Sequence, residues 1–172
     1  MQIGARLVHA TIESGRISES VLEILGSNRL CSIATVTAAG QPHINTAFFV
    51  VEESTLSLYF LSDPASLHAV NLHGNPHAAV TVFHSQQIWG DSLVGLQLFG
   101  SAAGAAEAVS ATAESLYRQR FPAYQEWFDS LDAKAKASFR SRFYRFVPER
   151  LKLLDEARFG EETFVGCAIE RP

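Results

Sequence analysis

LYFLSDPASLHAVNLHGNP, residues 58–76, reads as a strand that runs straight into a helix. Asp63, Pro64 and Ser66 are helix-opening residues, with Pro64 suited to the first helical position, and Gly74 is a C-terminal stop. The spacing predicts a helix over 64–73. At the junction Ser62, Ser66 and His68 gather where a helix points unbonded N–H groups outward. That arrangement suits an anion. It equally suits an ordinary helix cap.

Turn chemistry and periodicity extend the pattern in both directions. Ile17 to Leu25 carries apolar residues at 17, 21, 24 and 25, a helical period that Gly26 closes. LCSIATVT (30–37), PHINTAFFVV (42–51), LSLYFL (56–61) and HAAVTVF (77–83) are strand-like runs, separated by AAGQ, EEST and the 64–73 helix. SLVGLQLFGSAAGAA (92–106) reads as a long strand whose Gly95 and Gly100 mark bulges or bends. A helix over 106–119 stops at Pro122, and AYQEWFDSL and AKAKASFRSRF are shorter helical pieces. Strands over 144–156 and 163–170 follow. Strands one to three lie too close together for parallel crossovers. The expected fold is therefore mainly β, an antiparallel barrel, closed or partly closed, with flanking helices. The expected organisation is one domain over 1–172: a barrel core at 18–106, a helical insertion at 106–143 and returning strands at 144–170.

The bulk composition excludes several classes. Of the 172 residues 47% are apolar and only 19% are charged, which is globular rather than disordered. No apolar run reaches the roughly 20 residues of a membrane span. The opening MQIGARLVHATIES lacks a signal-peptide core, so a cytoplasmic location is expected. A net charge of −4 argues against a broad nucleic-acid face. Charge is also unevenly spread, because no Lys or Arg occurs between Leu30 and Tyr117 while nine of the fourteen fall between Arg118 and Lys152. Cys31 and Cys167 sit in apolar stretches and read as buried thiols rather than a disulfide framework.

The familiar catalytic signatures are missing. GDSLVG (90–95) lacks the glycine spacing of a nucleophile elbow, and no phosphate-cradling glycine loop or GxGxxG is present. His68, His73, His77 and His84 are close in sequence, but His68 and His73 lie about 140° apart on a helix, so no metal site is assigned. Trp127, Phe128, Phe139, Phe143 and Phe146 read as core rather than as an aromatic cage.

Several pieces together carry a resemblance: a Pro-x-x-Asn-Thr strand, LYFLSDPASLHAVNLHGNPHAAVTV, GLQLFGSA, a helix ending in RFP and a final strand with LLDE…FG. Over residues 18–106, and again around 150–160, the chain resembles the pyridoxamine 5′-phosphate oxidase-like, FMN-binding split barrels. That resemblance implies a homodimer with flavin sites between subunits and a small-molecule redox substrate. By position it implies cofactor contacts at Asn45, Thr46, Ala47 and Phe48, at Leu61 and Ser62, at Ser66, Leu67 and His68, and at Gln97. Typical members neutralise the phosphate with an Arg on the second strand and a Lys or Arg at the helix start. Those positions here hold Thr46, Leu67 and His68. FMN affinity is then expected to depend on a protonated His68, or on Arg118, Arg120, Arg140, Arg142 or Arg145 reaching the site. Pyridoxamine phosphate itself is not the expected substrate, since ETFVGCAIERP offers no motif for a second phosphate. Two other readings remain open beside an FMN oxidoreductase: a non-catalytic ligand-binding or scaffold barrel, and a barrel holding deazaflavin or heme.

Overall fold

The computed structural model describes residues 6–8 and 14–170, so most of the MQIGARLVHATIES segment lies outside the described residues. Six strands close into a barrel in the order β2 (Leu30–Val36), β3 (Pro42–Glu52), β4 (Ser57–Ser62), β7 (Arg142–Asp155), β6 (Val94–Gly104) and β5 (His77–Phe83). Every pairing around this ring is antiparallel. This is the mainly β, split-barrel architecture expected from the tight turns between the early strands. The 14-residue β7 is the longest strand and joins two systems. It pairs with β6 from Tyr144 to Asp155, with β4 from Arg142 to Phe146, and with β8 (Thr163–Ala168) from Arg150 to Leu154. Beyond β8 lies β1 (Arg6–Val8), a parallel edge pairing that periodicity did not reveal, because three residues are too few to show alternation.

The inward-facing positions fill the barrel. Ile33, Phe49, Leu58, Phe60, Val80, Val82, Leu96, Leu98, Phe146 and Leu153 are all essentially inaccessible. Each such side chain contributes about 1.5–3 kcal/mol by leaving water. Helix α1 (Ser14–Ser27) packs Val21, Ile24 and Leu25 against this core, and α2 (Leu67–Gly74) packs Ala69 and Leu72. The buried Asn71 side chain of α2 donates to Thr35 Oγ1 at 3.0 Å, which fixes the helix to β2.

A second cluster lies outside the barrel wall. Val50, Tyr59 and Phe143 project outward there and meet Ala113 and Tyr117 of α3 (Glu107–Arg120). α4 (Pro122–Ser130), α5 (Ala133–Ser138) and, after β7, α6 (Glu156–Phe159) complete the helices. The aromatic residues expected in one core are in fact divided. Phe146 is in the barrel and Phe143 in the second cluster, whereas Trp127 remains 47% exposed against Tyr124, Phe128 and Phe139.

Of the two strand glycines, only Gly100 marks an irregularity. The β6–β7 register slips between Phe99 and Gly100, and a Cβ at Gly100 would lie 2.1 Å from the Val147 carbonyl oxygen. Gly95 sits in regular pairing with Phe83 and Leu154. Cys31 is buried and Cys167 half-buried, and both are free thiols. Among the described residues no helix is long and apolar enough to cross a membrane.

Candidate cofactor cleft

β3 changes partner halfway along. Residues Pro42 to Phe48 pair with β2, but the ladder with β4 begins only at Phe49–Phe60 and runs to Glu52–Ser57. β4 instead continues along β7 to Ser62–Arg142 and then leaves the sheet. The barrel is therefore split between the Pro42–Phe48 half of β3 and the end of β4. The chain leaving β4 fills one end of that opening.

The turn after Ser62 is tighter than its composition alone indicated. Asp63 Oδ1 accepts the Ala65 N–H at 2.8 Å, and the Asp63 carbonyl accepts the Ser66 N–H at 2.9 Å. This Asp-based turn consumes Pro64 and Ala65, so α2 starts at Leu67 rather than at 64, and Pro64 belongs to the turn. Ser66 occupies the N-cap position without bonding the helix amides. Its hydroxyl lies 3.1 Å from His68 Nε2 and 3.1 Å from Ser62 Oγ, and Ser62 Oγ lies 2.5 Å from the same Nε2. The first α2 amides are left without a side-chain acceptor, beside two hydroxyls and an imidazole.

His68 is buried, and its ring is parallel to that of His43 on β3, with 6.2 Å between centroids and 4° between planes. Burial pushes the His68 pKa below its ordinary value near 6.5, and the neighbouring His43 adds to the effect. His68 is thus a neutral imidazole at neutral pH. The expectation of an imidazolium here meets a desolvation penalty in the absence of an anion.

Of the arginines considered for the site, two stand at the junction. Arg140 Nη2 lies 3.4 Å from Asp63 Oδ1, with its side chain 69% exposed, and Arg142 is the strand partner of Ser62, its Nη1 donating to the carbonyls of Phe139 and Ser141. Arg118 is committed to Glu114 and Asp129, Arg120 to the carbonyls of Leu25, Gly26 and Asn28, and Arg145 to Ser57 and Glu52.

The ten residues implied by the resemblance do not gather in one place. Ser62, Ser66 and His68 converge as described. Asn45 and Ala47 share the inward-facing parity of His43, whereas Thr46 and Phe48 face out and Phe48 is 52% exposed. Leu61 lies against the second cluster on the opposite side of β4, and Leu67 is exposed. Gln97 stands apart from them all. The register runs Thr46, Ser32, Thr81, Gln97 across β3, β2, β5 and β6. Three strand spacings put Gln97 about 14 Å from Thr46, on the side of β3 away from the β4–α2 junction.

That outer face is banded. Phe48, Leu30 and Phe83 form an exposed apolar row at one end, all near 50% accessible. Thr46, Ser32, Thr81 and Gln97 form a polar row, followed by Ile44, Ala34, Ala79 and Phe99. Two shallow cavities of about 490 and 260 Å3 lie along the face and share Ser32 and Thr81. His43 was missed from sequence, although its period-two relation to Asn45, Ala47 and the core residue Phe49 could have found it; Arg140, one of the five arginines considered, reaches the junction from 77 residues away.

Residues 17–155 match the family described as Pyridoxamine 5′-phosphate oxidase. No curated protein sequence matches the chain. Among solved structures, a heme binding protein from Mycobacterium smegmatis superposes with a TM-score of 0.69 at 16% identity, over 88% of this chain and 57% of its own. This chain thus spans less than two thirds of that protein. The heme storage protein HutZ from Vibrio cholerae gives 0.60 at 19% identity, over 76% of this chain and 89% of its own. A FAD-binding protein from Mesorhizobium loti gives 0.57 at 17% identity, over 77% and 89%. At these identities the likeness is one of fold.

Proposed function

The chain belongs to the pyridoxamine 5′-phosphate oxidase family, and on that premise we propose that it is a homodimeric FMN-binding oxidoreductase acting on a small molecule. The observation that carries this reading is the split itself: the β3–β4 ladder ends at Phe49–Phe60, leaving the Pro42–Phe48 margin of β3 open toward the β4–α2 junction. Backbone amides on an open strand margin suit the hydrogen-bonding edge of a flavin ring. The phosphate fits the uncapped start of α2, where the Ser62 and Ser66 hydroxyls can donate and the helix dipole favours an anion. Arg140 or Arg142 can supply a permanent positive charge there, and neutral His68 positions the hydroxyls. Bound flavin would supply hydride transfer, so no side chain is assigned as an essential acid or base.

Two further observations support a dimer. Gln97 and the β3–α2 residues cannot line one site within one subunit, but they can if Gln97 comes from a second copy. The apolar rows through Phe48 and Ile44 (68% exposed) would then leave water.

Heme is the second reading. A neutral imidazole is the form that ligates iron, and the His43–His68 pair lies at the cleft. Against it, His68 Nε2 is already engaged by Ser62 and Ser66. Absorbance of the purified protein separates the readings: bands near ~370 and ~450 nm indicate flavin, and one near ~420 nm deazaflavin or heme. Titration of the colourless protein with FMN should quench flavin fluorescence and raise Tm. If neither happens the flavin reading fails and the scaffold reading stands. Sedimentation should give a dimer at micromolar concentration, and a monomer there would remove the shared cleft.

A further inference from the structure

Among residues 15–170, only three cationic side chains make neither a hydrogen bond nor an ion pair: Lys134, Arg150 and Lys152. The last two stand together on β7. Arg150 is the register partner of Phe99 and Lys152 of Gln97, so both belong to the outer rows that begin on β3. Their only partners are rings: the Arg150 guanidinium lies 5.4 Å from the Phe99 centroid and Lys152 Nζ 4.0 Å from that of Phe164. Between them is a hollow of about 340 Å3, lined by Phe99, Leu151, Gly166, Cys167 and Ala168, with no carboxylate in its wall. Two uncompensated cations therefore bound one margin of the banded face. The opposite margin, β3, belongs to the stretch from Leu30 to Tyr117 that holds no cation at all.

Electrostatics chooses how two such faces meet. A two-fold axis lying in the interface can run across the strands or along them. Running across, it lays β7 on β7 and brings four cations together, a like-charge contact that penalises that arrangement. Running along the strands, it lays β7 of one copy toward the β3 margin of the other and keeps each row on its own counterpart. Apolar rows then meet apolar rows, Lys152 comes level with the partner's Thr46, and Arg150 with the partner's Ile44. We propose that Arg150 and Lys152 are supplied in trans, as the cations that face the anionic group held at the β4–α2 junction of the partner subunit. This rests on the flavin and dimer reading above and adds a second source of positive charge, from the other subunit, to Arg140 and Arg142.

The test compares FMN with riboflavin, which lacks the phosphate, by fluorescence titration of the whole protein. In the Arg150→Met/Lys152→Met variant the aliphatic stems keep their packing. FMN affinity should fall about tenfold or more, and riboflavin affinity should change less than about twofold. A heterodimer then decides cis from trans: one subunit carries that double change and the other Ser66→Asp, which keeps a good helix cap but repels an anion. Supply in trans leaves one site of wild-type affinity per heterodimer. Supply in cis leaves none, and that result overturns the proposal. An unchanged FMN affinity in the double variant also overturns it, with the flavin reading left standing. Failure of the wild-type protein to bind FMN overturns both.

Discussion

Replacing Arg120 by Met should cost about 2 kcal/mol of stability, although Arg120 touches no part of the candidate cleft. Its Nη2 donates to the carbonyls of Leu25 at 2.8 Å and Gly26 at 3.1 Å and to that of Asn28. The first two are among the last acceptors of α1 and Asn28 follows directly after it, where the helix dipole is negative, so the guanidinium acts as a C-terminal cap delivered from the end of α3. A hydrogen bond to a charged group contributes about 1.5–3 kcal/mol, and the dipole adds about 0.3–1 kcal/mol. Offsetting terms are visible. Nε is buried without a partner, and burial, then Arg29, lowers the pKa of the guanidinium. Met retains packing over Phe49, which the guanidinium now covers at 5.4 Å. A net loss of about 2 kcal/mol corresponds to a Tm decrease of roughly 4–8 °C for a chain of this size. Urea unfolding should show a lower midpoint with an unchanged m-value, and Lys should restore less than half. A Met variant as stable as the parent would refute the reasoning, because it would mean that desolvating the guanidinium costs as much as its bonds return.

Other perturbations have clear signs. Gly100→Ala forces a Cβ onto the Val147 carbonyl oxygen, so it should destabilise by about 3 kcal/mol or more; a Tm within a degree or two of the parent would show that the bulge adapts. His68 binds protons less readily when folded than when unfolded, so the unfolded state holds more protons just below pH 6.5. Stability should therefore fall as pH drops from 7 through 6.5 toward the lowered folded-state value. His68→Gln should flatten that slope in unfolding curves taken from pH 7 to 5, and an identical slope would assign the titration to another group. Ser62→Ala removes the 2.5 Å contact to Nε2 and should weaken FMN binding by about tenfold; equal binding would exclude that hydroxyl from the anion site.

The barrel was legible because its strands are short, alternating and joined by turns whose chemistry is local. Pro42 to Phe49 alternates between the two faces of β3, and a two-fold period fixes which side chains face inward. The start of α2 was misplaced by three residues because Pro64 fits both a helix and a turn. The Asp63 carboxylate decided for the turn by taking the Ala65 amide. The site was legible only where its parts adjoin in sequence, as Ser62, Ser66 and His68 do. His43 is brought to it by stacking on His68 and Arg140 by its ion pair with Asp63, and Gln97 is carried away from it by two intervening strands.

The double duty of β7 has a consequence for synthesis of the chain. Every other barrel strand has left the ribosome by Gly104, yet none of the β4 or β6 outer edges is satisfied until Arg142–Asp155 emerges. For the time needed to make roughly forty residues, a five-stranded sheet waits with two bare edges and an uncovered apolar floor. The helices made in that interval, α3 to α5, are the pieces able to form locally, and α3 can shelter Val50 and Tyr59 before the last staves of the barrel arrive.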